Sequence, residues 1–241
     1  MKVTVGIETA TAACSVAVEA GGDLMAEIVA CGAPAHTRRL LPDLQHALEM
    51  AGAGPEDVET VVVGLGPGTF TGLRIGVATA RALAFASGAR LVGVPTLAAL
   101  AWAMAEGEVT GRGIAEFVPL IDGKRHEVFA ACYSRLPCDG VDTCGRLVEV
   151  EGVSVVEADD LLEFVSKWPG AVVGGDGATL YSDSLPMRAF RATQVTAPTA
   201  AMVLRAWHRG VPGIVEGERC TPIYGRAPDA VRWIERAKKG T

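Results

Sequence analysis

The first residues whose pattern suggests chemistry form a glycine-rich loop at residues 66–72, Gly-Pro-Gly-Thr-Phe-Thr-Gly. The loop lies between a β-branched run and a helical pattern, and the free backbone N–H groups at a helix start favour anion binding. A P-loop would carry Lys followed by Ser or Thr after the last glycine, and this loop does not. Thr71 stands where a dinucleotide fingerprint has its third glycine. The remaining alternatives are a phosphate site and a tight turn that starts the helix close to the sheet, and we favour the turn.

Side chains that could bind a metal or act as an acid–base pair do not cluster in the sequence. The four histidines show no HxxxH or HExxH spacing, which would put two ligands on one helix face. Cys132, Cys138 and Cys144 are evenly spaced but lack the CxxC pairs of a zinc site. Asp122 and Asp176 lie in glycine-containing turns, and turn chemistry explains both acids. The sequence therefore predicts neither a metal centre nor a catalytic residue.

A ridge of small residues follows the loop, because Gly72, Gly76, Ala80, Ala84 and Gly88 recur at every fourth position. Such a ridge lets another backbone approach along the i, i+4 row. Glycine inside a helix costs up to about 1 kcal/mol relative to alanine. The ridge therefore predicts a compensating close contact. The chain's own sheet or a partner helix could supply it, and we expect the partner.

A neighbouring stripe of the same helix carries Phe70, Arg74, Val77 and Arg81. The two arginines are seven residues apart and so lie on nearly the same side. Apolar residues together with arginine are typical of protein interfaces. An interface and a solvated basic face are both compatible with this stripe.

The hydrophobic pattern predicts two similar halves. The first has strands at residues 3–8, 13–19 and 24–30, a helix from a Thr37 N-cap to a stop at Gly52, a strand at 60–65, a helix ending near Gly88, a strand at 91–94 and a helix at 96–106. The second has strands at 116–121, 127–133 and 146–150, a helix at 158–167, a strand at 171–174 and a helix at 198–209. No sequence repeat is visible, but this order indicates an α/β fold of two βββαβα lobes with mixed sheets flanked by helices. We place the lobes at residues 1–112 and 113–241.

The composition restricts the class of protein. The chain has 241 residues, 49% of them hydrophobic, which excludes a disordered chain. It carries 22 Lys and Arg against 28 Asp and Glu, for a net charge of −6, so bulk charge does not drive nucleic-acid binding. Six cysteines are too few for a disulfide scaffold. Neither a signal peptide nor an uninterrupted apolar run of about 20 residues is visible, and we expect a cytoplasmic protein.

Several blocks of the sequence resemble motifs of the TsaB (YeaZ) family. They are residues 8–11 with 14–17, residues 36–42 with His-Thr and Leu-Leu-Pro, residues 66–76 with Gly-Pro-Gly-Thr-Phe-Thr-Gly-Leu-Arg-Ile-Gly, residues 94–97, and Asp122 with residues 127–129. Pro222, Tyr224 and Arg226 form a weaker match near the end. The resemblance spans almost the whole chain, and the block at residues 66–76 is its most specific part.

The resemblance implies an ASKHA fold, the duplicated architecture that is also described as actin-like or ribonuclease-H-like. It further implies a non-catalytic scaffold that docks on TsaD and works with TsaE in threonylcarbamoyl transfer to the adenosine next to the anticodon of tRNA. ATP and metal are expected on TsaD, so this chain alone is expected to bind no cofactor. Without TsaD a homodimer through the same surface is expected, with tRNA reached only through the complex.

The resemblance also implies two sets of site residues. The partner interface maps onto the first two helices, residues 36–50 and 70–85, and consists of His36, Thr37, Leu40, Leu41, Leu44, Phe70, Gly72, Arg74, Gly76, Val77, Ala80 and Arg81. A vestigial nucleotide cleft consists of Glu8, Thr9, Thr11, Ser15, Gly175 and Asp176. Glu8 stands where the family usually has aspartate. Its longer side chain, together with a missing glycine, hinders the close approach of a phosphate.

Two enzymatic alternatives remain open at the level of sequence. An active small-molecule kinase of the same fold would use the cleft residues. A glycoprotease-like peptidase would need a nucleophile–base pair or a metal motif, and the sequence displays neither. The basic residues Arg232, Arg236, Lys238 and Lys239 could add to a tRNA surface shared with TsaD, or could form the solvated side of a last helix.

Overall fold

The computed structural model describes residues 1–32, 35–107, 116–136, 145–186, 190–191 and 195–226. Cys138, Cys144 and the four basic residues near the C-terminus lie outside these ranges. The boundary between residues 112 and 113 also lies outside them, and the division into two lobes there stays a prediction.

The first sheet has six strands. They are β1 (Val3–Glu8), β2 (Ala13–Ala20), β3 (Asp23–Cys31), β4 (Val58–Gly64), β5 (Arg90–Val94) and β11 (Val215–Glu216), in the spatial order β11-β5-β4-β1-β2-β3. β1 pairs antiparallel with β2 and parallel with β4, and β4 pairs parallel with β5. Strands β1, β2 and β4 are buried almost throughout, as expected for a sheet that is covered on both faces. The late strand β11 returns the chain to the edge of this first sheet.

The second sheet repeats the beginning of the first. Its strands are β6 (Glu116–Lys124), β7 (Glu127–Leu136), β8 (Arg146–Glu157), β9 (Val172–Gly174) and β10 (Phe190–Arg191), in the order β10-β9-β6-β7-β8. β6 pairs antiparallel with β7 and parallel with β9, just as β1 pairs with β2 and β4. The α/β fold with two mixed sheets is thereby confirmed.

Within the described ranges, six helices cover the sheets. They are α1 (Ala35–Met50), α2 (Phe70–Ser87), α3 (Thr96–Gly107), α4 (Leu161–Ser166), α5 (Asp176–Leu180) and α6 (Ala200–His208). Helices α1 and α2 pack on one face of the first sheet. Helices α3 and α6 lie between the two sheets, where Trp102 and Leu204 share one core with Val62 of the first sheet and Phe117 of the second. Helices α4 and α5 cover the remaining face of the second sheet. None of the described helices has the length and hydropathy of a membrane span.

Most helix ends agree with the sequence, but the start of α1 does not. Helix α1 begins at Ala35, so Thr37 lies inside the first turn and the prediction of Thr37 as N-cap is wrong. The predicted stops at Gly52 and Gly88 are confirmed, because both glycines adopt the left-handed conformation, with φ of 67° and 70°. The predicted helix at residues 158–167 is shorter, since a 3-10 turn (Ala158–Asp160) precedes α4.

Candidate functional site: the outer face of α2 and the hairpin beneath it

The glycine-rich loop lies against the turn that joins β1 and β2. The backbone N–H of Thr69, the N-cap of α2, donates to the carbonyl oxygen of Ala10 at 2.7 Å. A Cβ atom on Gly68 would overlap that same carbonyl oxygen. One of the N–H groups at this helix start is thus bonded to an oxygen of the chain itself instead of an anion. The structure favours the close-packed turn over a phosphate site.

The small-residue ridge continues this contact along α2. A Cβ atom on Gly72 would overlap the carbonyl oxygen of Thr9, and one on Gly76 would overlap Thr9 Oγ1. Thr9 Oγ1 also donates a hydrogen bond of 2.9 Å to the carbonyl oxygen of Gly72. The compensating contact that the two helical glycines require is therefore made by the residues that join β1 to β2.

This packing corrects our expectation that the ridge seats a partner. Gly72, Gly76 and Ala80 are buried inside the chain. The same holds for other residues of the predicted interface: Leu40 and Leu44 of α1 and Val77 of α2 belong to the core beneath the first sheet. Their side chains cannot touch a second protein. Five residues of the predicted interface are exposed, and His36 is partly buried. The exposed residues are Thr37, Leu41, Phe70, Arg74 and Arg81.

The exposed side of α2 carries a second row of small residues that the sequence analysis overlooked. We call it the outer face of α2, and it consists of Phe70, Thr71, Arg74, Ala78, Arg81, Ala82, Phe85 and Ala86. Ala78, Ala82 and Ala86 follow the same four-residue spacing as the buried ridge. Phe85 is 92% exposed, and Leu41 on the adjoining helix α1 is 65% exposed. A flat helix face with an exposed aromatic side chain is suited to packing against another protein.

The two arginines of this face have different surroundings. The guanidinium carbon of Arg74 lies 3.9 Å from the centre of the Phe70 ring, and Arg74 Nε donates to Tyr224 Oη at 3.1 Å. Arg81 Nη2 instead donates to the carbonyl oxygens of Glu218 and Cys220, at 3.2 and 3.0 Å. Both arginines of the predicted stripe are exposed, but both also donate hydrogen bonds to a later segment of the chain.

That segment, residues 217–226, is called the strap here. Beyond its contacts to α2, the N–H of Ile223 donates to the carbonyl oxygen of Leu65 at 2.7 Å. At its far end Arg226 Nη1 lies 2.6 Å from Glu127 Oε2 of β7. The strap therefore runs from the edge of the first sheet across α2 to the second sheet. The weak sequence match at Pro222, Tyr224 and Arg226 falls within it.

Glu8, the leading residue of the predicted nucleotide cleft, is enclosed. Its side chain is buried, Oε1 accepts from the N–H of Ala10 at 2.7 Å, and Oε2 accepts from Thr96 Oγ1 at 2.9 Å. Thr96 Oγ1 in turn accepts from the N–H of Gly66 at 3.0 Å. Burial raises the pKa of the Glu8 carboxyl to about 6, against an ordinary value of 4.5, and these hydrogen bonds oppose the rise. The carboxylate thus ties β1 to the glycine-rich loop and to the start of α3.

The other predicted cleft residues of the first lobe also have structural partners. Thr9 supports α2 as described, and Thr11 Oγ1 accepts from the N–H of Ala13 at 3.2 Å. Ser15 Oγ accepts from the N–H of Ala200 at 3.0 Å, and Glu27 Oε1 accepts from the N–H of Ala201 at 2.9 Å. Ser15 and Glu27 therefore cap the N-terminus of α6, a role that the sequence analysis did not assign to either.

Gly175 and Asp176 lie at the start of α5 in the second lobe. Gly175 has a φ of 105°, and a Cβ atom there would overlap the carbonyl oxygen of Leu120. Asp176 Oδ1 accepts from the N–H of Asp122 at 3.0 Å, and burial raises the pKa of the Asp176 carboxyl. Within the described ranges, no group of three or more His, Cys, Asp and Glu side chains could hold a metal ion. The two glycine-containing turns singled out in the sequence thus contact each other.

Comparison with known proteins identifies the family. The family model for TsaD, tRNA N6-adenosine threonylcarbamoyltransferase, matches residues 30–156, which is more than half of the chain. The chain belongs to this family. Among its curated relatives, the tRNA threonylcarbamoyladenosine biosynthesis protein TsaB of Escherichia coli is 38% identical over 129 residues, 54% of each protein. The protein of the same name from Haemophilus influenzae is 33% identical over 123 residues, 51% of this chain and 50% of the relative.

The solved structures extend the similarity to nearly the whole chain. A Pseudomonas aeruginosa protein described as similar to the peptidase YeaZ superposes with a TM-score of 0.73 at 29% identity, covering 94% of this chain and all of that one. A second structure, YeaZ from the same organism, gives 0.70 at 28% identity. In sequence, the chain spans about half the length of the curated relatives it matches. These proteins confirm the resemblance to TsaB and YeaZ, and the solved structures share the α/β fold of this chain.

Proposed function

We propose that this chain acts in the biosynthesis of threonylcarbamoyladenosine in tRNA, in the cytoplasm, as a non-catalytic subunit. In this proposal it docks on TsaD through the outer face of α2 and the adjoining exposed part of α1, and works together with TsaE. ATP and metal are bound by TsaD, and tRNA is reached through the complex. In the absence of TsaD the same face pairs two copies of this chain.

The observation that carries the docking surface is the exposure of Phe85 at the end of the row Ala78, Ala82 and Ala86. Three small side chains in one row let a partner backbone or helix approach closely. Burying a phenylalanine that is now in water contributes up to about 3 kcal/mol. Since the buried ridge is filled by the chain itself, the outer row is the surface of α2 that a partner can reach.

The surroundings of Glu8 support the non-catalytic part of the proposal. A carboxylate that positions a metal or a reacting hydroxyl has to lie within direct reach of it. Both oxygens of Glu8 accept hydrogen bonds from the chain, and Gly64 and Thr96 enclose the carboxyl group. The helix start at Thr69 likewise faces the carbonyl oxygen of Ala10 rather than open space.

The cellular experiment is depletion of this chain followed by measurement of threonylcarbamoyladenosine in bulk tRNA by mass spectrometry. We expect the modified nucleoside to fall, and re-expression of the chain to restore it. A normal level after complete depletion would refute the proposed role. The purified chain should also leave ATP intact, and turnover of ATP by the chain alone would favour the kinase alternative.

The docking experiment compares two exposed apolar residues on opposite lobes. Phe85→Asp places a charge on the outer face of α2, while Leu162→Asp places one on α4, where Leu162 is 54% exposed. We expect co-elution with the TsaD of the same organism to be lost for Phe85→Asp and kept for Leu162→Asp. Normal co-elution of Phe85→Asp would show that TsaD docks elsewhere.

A further inference from the structure

Arg74, Phe70 and Tyr224 form a stack at the exposed beginning of α2. The Phe70 and Tyr224 ring centres are 4.9 Å apart, and the Arg74 guanidinium lies 3.9 Å from the centre of the Phe70 ring. The hydrogen bond from Arg74 Nε to Tyr224 Oη fixes the direction of the guanidinium. An arginine that is already held in this way loses little conformational entropy when it binds a partner.

The charge of Arg74 is not neutralised within the part of the chain that the structure describes. Ion pairs join Arg39 to Asp43, Arg90 to Glu216, Arg205 to Glu106 and Arg226 to Glu127. No described carboxylate lies within salt-bridge distance of Arg74, and its Nε atom makes the only hydrogen bond of this guanidinium among the described residues. Neither Nη group, the end of the planar fork that binds a carboxylate in parallel hydrogen bonds, has a partner among the described residues.

Arg81 shows the contrast on the same helix face. Its Nη2 atom is engaged by two carbonyl oxygens of the strap, so it holds the strap in place. The strap then delivers Tyr224 to Arg74. The chain has a net charge of −6, and Arg74 is held in position beside exposed apolar residues with no acidic partner in the described ranges.

We propose that Arg74, positioned by Phe70 and Tyr224, binds an aspartate or glutamate side chain that TsaD presents at the docking surface. This inference rests on the proposed function and adds the chemistry of the contact. Aromatic and arginine side chains near the centre of an interface carry much of its binding energy. An RNA phosphate is the less suitable occupant, since RNA binding needs several adjacent cations. Here Arg81 is engaged, and the other residues of the outer face of α2 are uncharged.

The first test measures the affinity of the chain for TsaD by calorimetry with four variants. Arg74→Gln should weaken binding by about 30-fold, as expected for an interface hot spot. Arg74→Lys should recover only part of this, because lysine keeps the charge but lacks the fork. Tyr224→Phe keeps the ring and removes the hydroxyl, so we expect a loss of about 5-fold, the size of one net hydrogen bond. Arg146→Gln, an exposed position on β8, removes the same charge and should bind as wild type.

The second test identifies the residue of TsaD that Arg74 contacts. A water-soluble carbodiimide joins a lysine amine to a carboxylate with no spacer, so Arg74→Lys should be crosslinked to an aspartate or glutamate of TsaD. The product is read by mass spectrometry, with Arg146→Lys as control. Absence of such a crosslink in an Arg74→Lys complex that does form would overturn the inference.

The outcomes separate the inference from the function on which it rests. If the wild-type chain does not bind TsaD, the proposed function fails. If the wild type binds and Arg74→Gln binds equally well, the inference alone fails and the docking proposal stands. If the isolated chain binds tRNA and Arg74→Gln abolishes that binding, Arg74 is a phosphate ligand and the carboxylate inference is wrong. Unchanged melting temperatures of Arg74→Lys and Tyr224→Phe show that the comparison concerns folded protein.

Discussion

The substitution Gly76→Ala gives the most direct test of how α2 is supported. Alanine is the better helix former, so the change alone would stabilise an exposed helix by about 1 kcal/mol. In this structure, however, the new methyl group would overlap Thr9 Oγ1. Thr9 has to move away from the new methyl group, which strains the packing around it and breaks its 2.9 Å hydrogen bond to the carbonyl oxygen of Gly72.

The expected change in the free energy of unfolding is the sum of a packing cost and a hydrogen-bond cost, less the gain in helix propensity. Adding a methyl group to a filled site costs about 1–3 kcal/mol, and the lost hydrogen bond about 1 kcal/mol. After subtraction of the gain in helix propensity, we expect Gly76→Ala to lower the free energy of unfolding by about 1–3 kcal/mol. Ala78→Gly, on the outer face of the same helix, measures the propensity separately and should cost about 1 kcal/mol.

A double-mutant cycle makes the reasoning specific to Thr9. With Thr9→Ala the overlapping oxygen is gone, and a methyl group at position 76 would have the Thr9 Cβ as its nearest remaining neighbour, at 3.3 Å. The double variant Thr9→Ala/Gly76→Ala should therefore be about 1–2 kcal/mol more stable than the sum of the single changes predicts. Gly72→Ala cannot be rescued in this way, because its methyl group would meet the carbonyl oxygen of Thr9, which every residue carries.

The assay is urea denaturation followed by circular dichroism, with all variants at one protein concentration. A Gly76→Ala protein that is as stable as the wild type or more stable would refute the packing argument. So would strict additivity with Thr9→Ala. Either result would mean that the β1–β2 hairpin does not fill the buried ridge tightly, and that a partner protein could contact the ridge.

Two further predictions concern buried polar groups. Burial raises the pKa of Glu8 to about 6 from 4.5, so the folded state binds this proton more tightly than the unfolded state. The free energy of unfolding of the wild type should therefore fall by about 2 kcal/mol as the pH rises from about 4.5 to 6. Glu8→Gln should lack that part of the pH dependence. If urea titrations gave the wild type and Glu8→Gln the same change in free energy of unfolding between about pH 4.5 and 7.5, the prediction would be contradicted. Ser15→Ala removes the acceptor for the N–H of Ala200 and should lower stability by about 1 kcal/mol, while Ser166→Ala, exposed on α4, should change it by less than about 0.5 kcal/mol.

The strands and helices were predictable because their signals are local. Alternating valines mark β2, and the left-handed glycines at positions 52 and 88 end α1 and α2 as expected. The four-residue spacing of Gly72 and Gly76 also predicted correctly that something approaches α2 closely. The identity of the approaching group was predicted wrongly, because Thr9 is 63 residues away from Gly72 in sequence and its backbone position depends on the complete sheet.

The candidate site shows the same limit. The spacing of Ala78, Ala82 and Ala86 is visible in the sequence, but alanine occurs both in cores and on surfaces. Which alanines are exposed depends on the side of α2 that the β1–β2 hairpin covers. The strap offered still less to sequence analysis. Tyr224 lies 150 residues from Arg74, and a tyrosine after a proline in an irregular segment carries no periodic signal.

The contacts of the β1–β2 turn connect the surroundings of Glu8 with the support of α2. Thr9 and Ala10 give their carbonyl oxygens and one hydroxyl to α2, and Glu8 ties the same turn to Thr96 and the glycine-rich loop. These contacts leave little room for a phosphate, and they hold α2 against the sheet along the side opposite to Ala78 and Ala82. A ligand that entered beside Glu8 would have to displace the groups that support α2. Nucleotide binding beside Glu8 would therefore weaken the support of α2, and this coupling favours the proposed docking role over the kinase alternative.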